Sequence, residues 1–360
     1  MAVEPIKYLE WAKLKSQAKI SLSRSGVPDL SFQELPLTLD LKALEISGRH
    51  PYGYLPLIEA IASRYQVHPD EVVVTQGASQ AIFMLGAAII EPGDKVVVEK
   101  PAYEPLLAIP RFFKAEILRL ERRFDHNFEI ALDDFRKLLG KGAKLVILTN
   151  LHNPSGVWLS RDKIEALARE VERFGAYLFI DEIYLEFMDG EAASTAYGLN
   201  ERIIVASSLT KVYGLGGLRC GWILAPKEIT RSLRALTDYL VVEGPFISQL
   251  LASLIFPYLD LLREKNRAWL ETNHKQLCCF MNRQSKLTWV EPDGGVICFP
   301  RLLVGRNGDD FCQFLREKAE ISLVPGSFFE APEHFRLGYA VAPEILAEAL
   351  EIIEKVLDEW

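Results

Sequence analysis

Four short segments hold residue types that could do chemistry together, and each one follows a run of apolar residues. In Ser207-Ser208-Leu209-Thr210-Lys211 a lysine stands beside several hydroxyls, and Gly214, Gly216, Gly217 and Arg219 follow. A lysine withdrawn from water has a lowered pKa and becomes an amine suited to imine formation. Ser208 and Arg219 could bind a phosphate, the guanidinium through paired hydrogen bonds. The same stretch also reads as a solvated lysine ahead of a flexible glycine loop. In Asp181-Glu182-Ile183-Tyr184 two acids end the apolar run 177–180. Burying them is costly without a cation, so Asp181 could hold a protonated ring nitrogen while Tyr184 reaches an oxygen of that ring. Alternatively, both acids cap the next element.

The third segment is Thr149-Asn150-Leu151-His152-Asn153-Pro154-Ser155-Gly156. Asn-Pro followed by Ser-Gly is a turn signal, and the bond before Pro154 is a candidate cis peptide. Asn153 could donate to a phenolate-like oxygen, or the segment is a surface loop. The fourth is Thr75-Gln76-Gly77-Ala78-Ser79-Gln80, where an extended run passes straight into a helix. Gly77 and Ala78 let backbone N–H groups approach a phosphate at the positive helix end, and Ser79 adds a hydroxyl. A plain serine cap after a glycine turn fits the same residues.

Several other chemistries do not fit. Gly214 and Gly216 begin a dinucleotide fingerprint, but Arg219 occupies its third glycine, and no phosphate-binding G-x-x-x-x-G-K-[ST] occurs. The five cysteines form no C-x-x-C and the six histidines no H-x-x-x-H, so neither a disulfide framework nor a metal centre is expected. A net charge of -8 without a Lys/Arg run argues against nucleic-acid binding. The start, Met1 to Pro5, lacks the basic-then-apolar order of a signal peptide, and no uninterrupted apolar run reaches the roughly 18 residues of a membrane span. A cytoplasmic setting is the expectation.

The elements that must position these residues alternate. Extended runs at 72–75, 95–99, 116–119, 144–149, 177–181, 202–207 and 222–225 are separated by helical segments such as 79–90, 132–139 and 161–174. Strands apolar on both faces imply an α/β fold with a mostly parallel sheet sandwiched by helices. A first helix spans 8–19. After residue 225 a helix-rich stretch to 282 precedes short strands near 288–291, 296–299, 322–324 and 334–339, then a terminal helix over 343–359. The expected division is an N-terminal arm with part of a small domain (1–50), a large ligand-binding domain (51–240) and a smaller α+β domain (241–360).

Taken in order, GASQ at 77–80, PAY at 101–103, NPSG at 153–156, DEIY at 181–184, SSLTK at 207–211, GGLRCGW at 216–222 and FRLG at 335–338 resemble the class I/II aminotransferases. These are fold-type-I enzymes of the aspartate aminotransferase superfamily, dependent on pyridoxal 5′-phosphate (PLP). The resemblance implies that Lys211 is the Schiff-base lysine and proton shuttle, and that Asp181 pairs with the pyridine nitrogen. It implies that Asn153 and Tyr184 bond the ring oxygen and that Tyr103 stacks on the ring. The phosphate falls to Gly77, Ala78, Ser79, Ser208 and Arg219. Arg336 would clamp the substrate α-carboxylate, with Asn153 and the backbone of Gly26 beside it.

His152 and Leu151 depart from the family pattern before NPSG. Relatives use a tyrosine near the Gly53 turn to reach the partner subunit's phosphate; Tyr52 and Tyr54 both qualify, and Tyr52 is favoured. That contact would make the enzyme a homodimer with shared active sites. The implied reaction is ping-pong transfer of an amino group from an L-amino acid to a 2-oxo acid. A β-eliminating C–S lyase or a biosynthetic cyclase on the same scaffold is the alternative. A PLP-sensing regulator is not expected, for want of a DNA-binding module and of basic charge, and a silent scaffold would not need Lys211, Asp181, Tyr184 and Arg336 together.

Overall fold

Seven strands form the central sheet of the computed structural model, which describes residues 3–40, 44–303 and 307–360. Met1 and Ala2, at the start that lacks a signal-peptide pattern, lie outside the described residues. Across the sheet the order is Val72–Thr75, Gly221–Leu224, Ile203–Ser208, Tyr177–Asp181, Ala143–Thr149, Lys95–Lys100 and Glu116–Glu121. Every neighbouring pair is parallel except those made by Gly221–Leu224, which runs antiparallel to both Val72–Thr75 and Ile203–Ser208. The sheet is therefore mostly parallel, as the alternating pattern implies.

Successive side chains of a strand point to opposite faces, and the packing follows that period. Val146, Leu148, Leu178, Ile180, Ile203 and Val205 face one core, shared with helices Leu55–Tyr65, Leu132–Leu139 and Arg161–Phe174. Leu145, Ile147, Phe179, Ile204 and Ala206 face the other, shared with helices Ala78–Ile89, Pro105–Phe112 and Lys227–Leu240. Two buried faces explain why these strands carry almost no polar residue until their carboxyl ends.

A second core is built from both ends of the chain. Ile20 and Leu22 pack with Leu277, Phe280, Phe311, Leu315, Phe335, Leu346 and Ile353. Ile20–Ser21 pairs in parallel with Ile321–Ser322, and Phe335–Gly338 lies between Ile297–Cys298 and Val324–Pro325, antiparallel to both. These strands are shorter than the sequence suggests, because each is two to four residues long between turns. The first helix is Lys7–Leu14 and stops before Lys19, since the chain must extend to pair at Ile20.

The sequence pattern changes after residue 225, but packing changes later. Ala252, Ile255, Phe256, Leu259 and Leu262 join the sheet core, whereas Leu277, Phe280 and Met281 join the second core. The 25-residue helix Leu259–Arg283 thus carries the chain from one core to the other. The helical stretch Phe246–Arg283 holds an 18-residue window of mean hydropathy 1.3, long and apolar enough to cross a membrane by length and composition. Its apolar residues at 252–262 are used in the sheet core, and a 3-10 turn at Phe256–Tyr258 interrupts it.

Candidate active site

The carboxyl ends of four strands meet at one edge of the sheet. Thr75, Thr149, Asp181 and Ser208 each end a strand, and the segments that follow carry Gly77, Asn153, Tyr184 and Lys211. Ligands of open α/β sheets gather at such an edge. Arg219 arrives there for a different reason. It precedes Gly221–Leu224, which runs the opposite way, so Gly221 pairs with both Thr75 and Ser208. Only glycine fits at 221: a Cβ would come within 2.8 Å of Gly77 Cα and of the Ser207 carbonyl oxygen.

Gly77 caps the helix Ala78–Ile89 with φ of 83°, in the region that favours glycine. A Cβ there would sit 2.7 Å from Arg219 Nη2, so the missing side chain is what admits the guanidinium. Arg219 donates to the carbonyls of Gln76 (3.1 Å) and Gly216 (3.2 Å) and remains exposed. The N–H groups of Ala78 and Ser79 belong to the first turn, whose donors have no partner inside a helix. Ala78 is buried, Ser79 is exposed, and Ser208 is buried close by. Together they form a corner lined by hydrogen-bond donors.

Lys211 is half-buried, and its Nζ donates to Ser25 Oγ at 2.9 Å. Burial, followed by the Arg336 and Arg24 cations, brings its pKa down to about 8. Gly26 lies against the lysine stem: a Cβ would be 3.1 Å from Lys211 Cδ, and Val27 N donates to the Lys211 carbonyl at 3.0 Å. Asp181 is buried, and burial raises its pKa to about 7 although Lys211 pulls it back. Its Oδ1 accepts from Ile183 N at 3.2 Å. Burial also lifts Tyr184 to about 12. Tyr103 sits edge-on to Tyr8 with ring centres 5.5 Å apart.

Arg336 is fully buried on the strand Phe335–Gly338. Its Nη1 donates to Asn153 Oδ1 (3.1 Å), and its Nη2 donates to Tyr8 OH (2.7 Å) and the Ser23 carbonyl (3.2 Å). Nε is buried with no partner among the described residues. Asn153 is anchored from behind. Its N–H donates to Thr149 Oγ1 (2.9 Å), Thr149 Oγ1 donates to Glu99 (2.6 Å), and Arg122 holds Glu99 at 2.8 Å. The Asn153–Pro154 bond, a candidate for cis, is trans; among the described residues the cis bonds are Lys100–Pro101 and Asn150–Leu151. The turn is closed instead by Gly156 N donating to the His152 carbonyl at 2.7 Å, with Gly156 at φ of 78°.

Residues 28–353 match the family described as aminotransferase class I and II. The chain belongs to that family. This aminotransferase is 28% identical to an aspartate aminotransferase of Thermotoga maritima, over 96% of its own length and 93% of the relative's. A solved PLP-dependent aminotransferase from Streptococcus suis superposes with a TM-score of 0.94 at 26% identity, covering 100% of this chain and 99% of that one. A solved PLP-dependent cyclase, OrfR, superposes with a TM-score of 0.91 at 29% identity, covering 100% and 98%.

The cofactor of this aminotransferase is PLP. The residues present suit it: a buried carboxylate at Asp181, a buried phenol at Tyr184, a lysine lowered by burial, and a glycine-lined corner with Arg219. Tyr54 turns inward, its ring edge-on to Phe246 at 5.4 Å, whereas Tyr52 is exposed beside the cavity that Arg219 lines. Sequence reasoning missed Tyr8, Ser25 and the Glu99–Arg122 pair. Glu99 was within reach, since like Asp181 it is an acid near the end of an apolar run. Nothing local marks Tyr8 or Ser25.

Proposed function

We propose that this aminotransferase moves the amino group of an L-amino acid to a 2-oxo acid in two half-reactions, with the labour divided among the residues of the sheet edge. When bound, PLP supplies the electron-withdrawing ring that stabilises negative charge at the substrate Cα. Asp181 holds its buried carboxylate against the ring nitrogen, and Asn153 and Tyr184 donate to the ring oxygen. Ala78, Ser79, Ser208 and Arg219 fix the phosphate. Arg336 orients the substrate through its α-carboxylate, so that Lys211 Nζ can take the Cα proton and later return it. The observation that carries this reading is the lysine lowered to about 8 by burial and the neighbouring cations Arg336 and Arg24, at an edge that also holds Asp181.

The test is the Lys211→Ala variant. Wild type treated with borohydride should gain a reduced cofactor on Lys211, and the variant should gain none; equal labelling would sink the assignment. A second reading, cyclisation, is supported by the likeness to OrfR. Without an acceptor, transamination releases one equivalent of 2-oxo acid per site and no ammonia. Elimination yields ammonia with turnover, and cyclisation yields neither product.

The assembly in this proposal is a homodimer in which Tyr52 reaches the other subunit's phosphate. Its support is that Tyr52 is exposed near Asp238, with Tyr239, Leu240 and Val242 exposed alongside. All five cysteines are free, which supports a reducing, cytoplasmic setting.

A further inference from the structure

Away from the sheet edge, three side chains of different chemistry converge at the far part of the long helix. His274 and Cys278 are four residues apart on Leu259–Arg283, so they project from one face. Glu291 comes to them from the segment after Leu287–Thr288. His274 Nε2 is 3.8 Å from Cys278 Sγ and 3.7 Å from Glu291 Oε1, and Sγ is 3.4 Å from that same oxygen. With zinc bonds of about 2.3 Å to sulfur and about 2.0–2.2 Å to nitrogen and oxygen, tetrahedral ligands lie roughly 3.4–3.6 Å apart. The observed triangle needs only a few tenths of an ångström to close on one ion.

We infer that His274, Cys278 and Glu291 form a binding site for zinc, or a divalent ion of similar borderline softness, separate from the active site. The mixed nitrogen, sulfur and oxygen set disfavours calcium and magnesium, which take oxygen ligands. Glu291 is exposed and His274 half-buried, so the fourth position opens to water. On coordination the Cys278 thiol gives its proton to solvent, and the hydrogen bond it donates to Glu291 is replaced by the shared ion. The neighbouring Asn273 donates to the carbonyls of Tyr339 (2.6 Å) and Val341 (2.8 Å), which already fixes this turn of helix. A bound ion would pin the helix to the segment that leads into Gly294 and Gly295.

The test uses holoenzyme freed of metal by chelation and titrated with zinc chloride, with cobalt(II) as the optical probe. Wild type should bind one zinc per chain, and cobalt should show a thiolate charge-transfer band. Cys278→Ser and His274→Ala should each weaken zinc binding by at least about ten-fold, and Cys278→Ser should abolish the band. Cys279→Ser, one residue away, should leave both unchanged, and unaltered circular dichroism and amino-group transfer would show that the variants are folded. Saturable binding weaker than about 100 µM, or either of the first two variants binding zinc as tightly as wild type, overturns the inference.

Discussion

Arg336→Lys is the perturbation whose outcome follows most directly from the geometry. The guanidinium is fully buried and gives three hydrogen bonds to Asn153, Tyr8 and the Ser23 carbonyl, while Nε has no acceptor among the described residues. A buried donor left unpaired costs about 1–3 kcal/mol, and a carboxylate oxygen delivered by the substrate relieves that cost. Lysine keeps the charge but has no planar fork and no donor at the Nε position. Losing one charge-assisted hydrogen bond to the carboxylate should remove about 1.5–3 kcal/mol of binding. At 1.36 kcal/mol per tenfold, kcat/KM for the amino donor falls about 10- to 160-fold. The assay is a single-turnover half-reaction followed by absorbance, run with an amino acid and with the amine that lacks its carboxylate. Wild type should strongly prefer the amino acid, and the variant should lose most of that preference. A fall below about threefold, or a preserved preference, would refute the argument that Arg336 reads the carboxylate.

Asp181→Asn removes a buried carboxylate from the position proposed to face the cofactor nitrogen, and breaking a buried ion pair costs about 3–5 kcal/mol, so kcat should drop at least a hundredfold; a steady-state rate near wild type would exclude a charge role. Gly77→Ala places a Cβ 2.7 Å from Arg219 Nη2 at a φ of 83° and ψ of 173°, and a cost of about 1–3 kcal/mol should weaken cofactor affinity roughly tenfold or more, read by titrating apoenzyme. Burial, followed by the Arg301 cation, holds the His334 pKa down at about 3 in the folded chain, against about 6.5 unfolded. Below about pH 6.5 the unfolded chain therefore binds a proton that the native one refuses, so stability falls as pH drops toward the folded value, by about 1.4 kcal/mol per unit. His334→Asn should flatten the slope of Tm against pH between about pH 6 and 4, and a slope identical to wild type would show that His334 titrates normally.

The sequence by itself determined the sheet and which polar residues end its strands. Strands 72–75 and 177–181 and the helix at 343–359 appear with the expected bounds, because periodic burial writes itself into residue order. Lys211, Asp181, Asn153 and Gly77 were legible for the same reason: each breaks an apolar run at a strand end, and an end is a local feature. Chain order could not show that Arg219 reaches the corner beside Gly77 by preceding the strand antiparallel to its neighbours. Tyr8 meets Arg336 across 328 residues, and Ser25 meets Lys211 across 186, neither with any periodicity to announce it. The His274–Cys278–Glu291 triangle was passed over because its third member comes from another segment. Local propensity and alternation reside in the sequence, whereas contacts between distant segments exist only once the cores have packed. Packing therefore decided which donors surround the lysine and which arginine nitrogen is left without an acceptor.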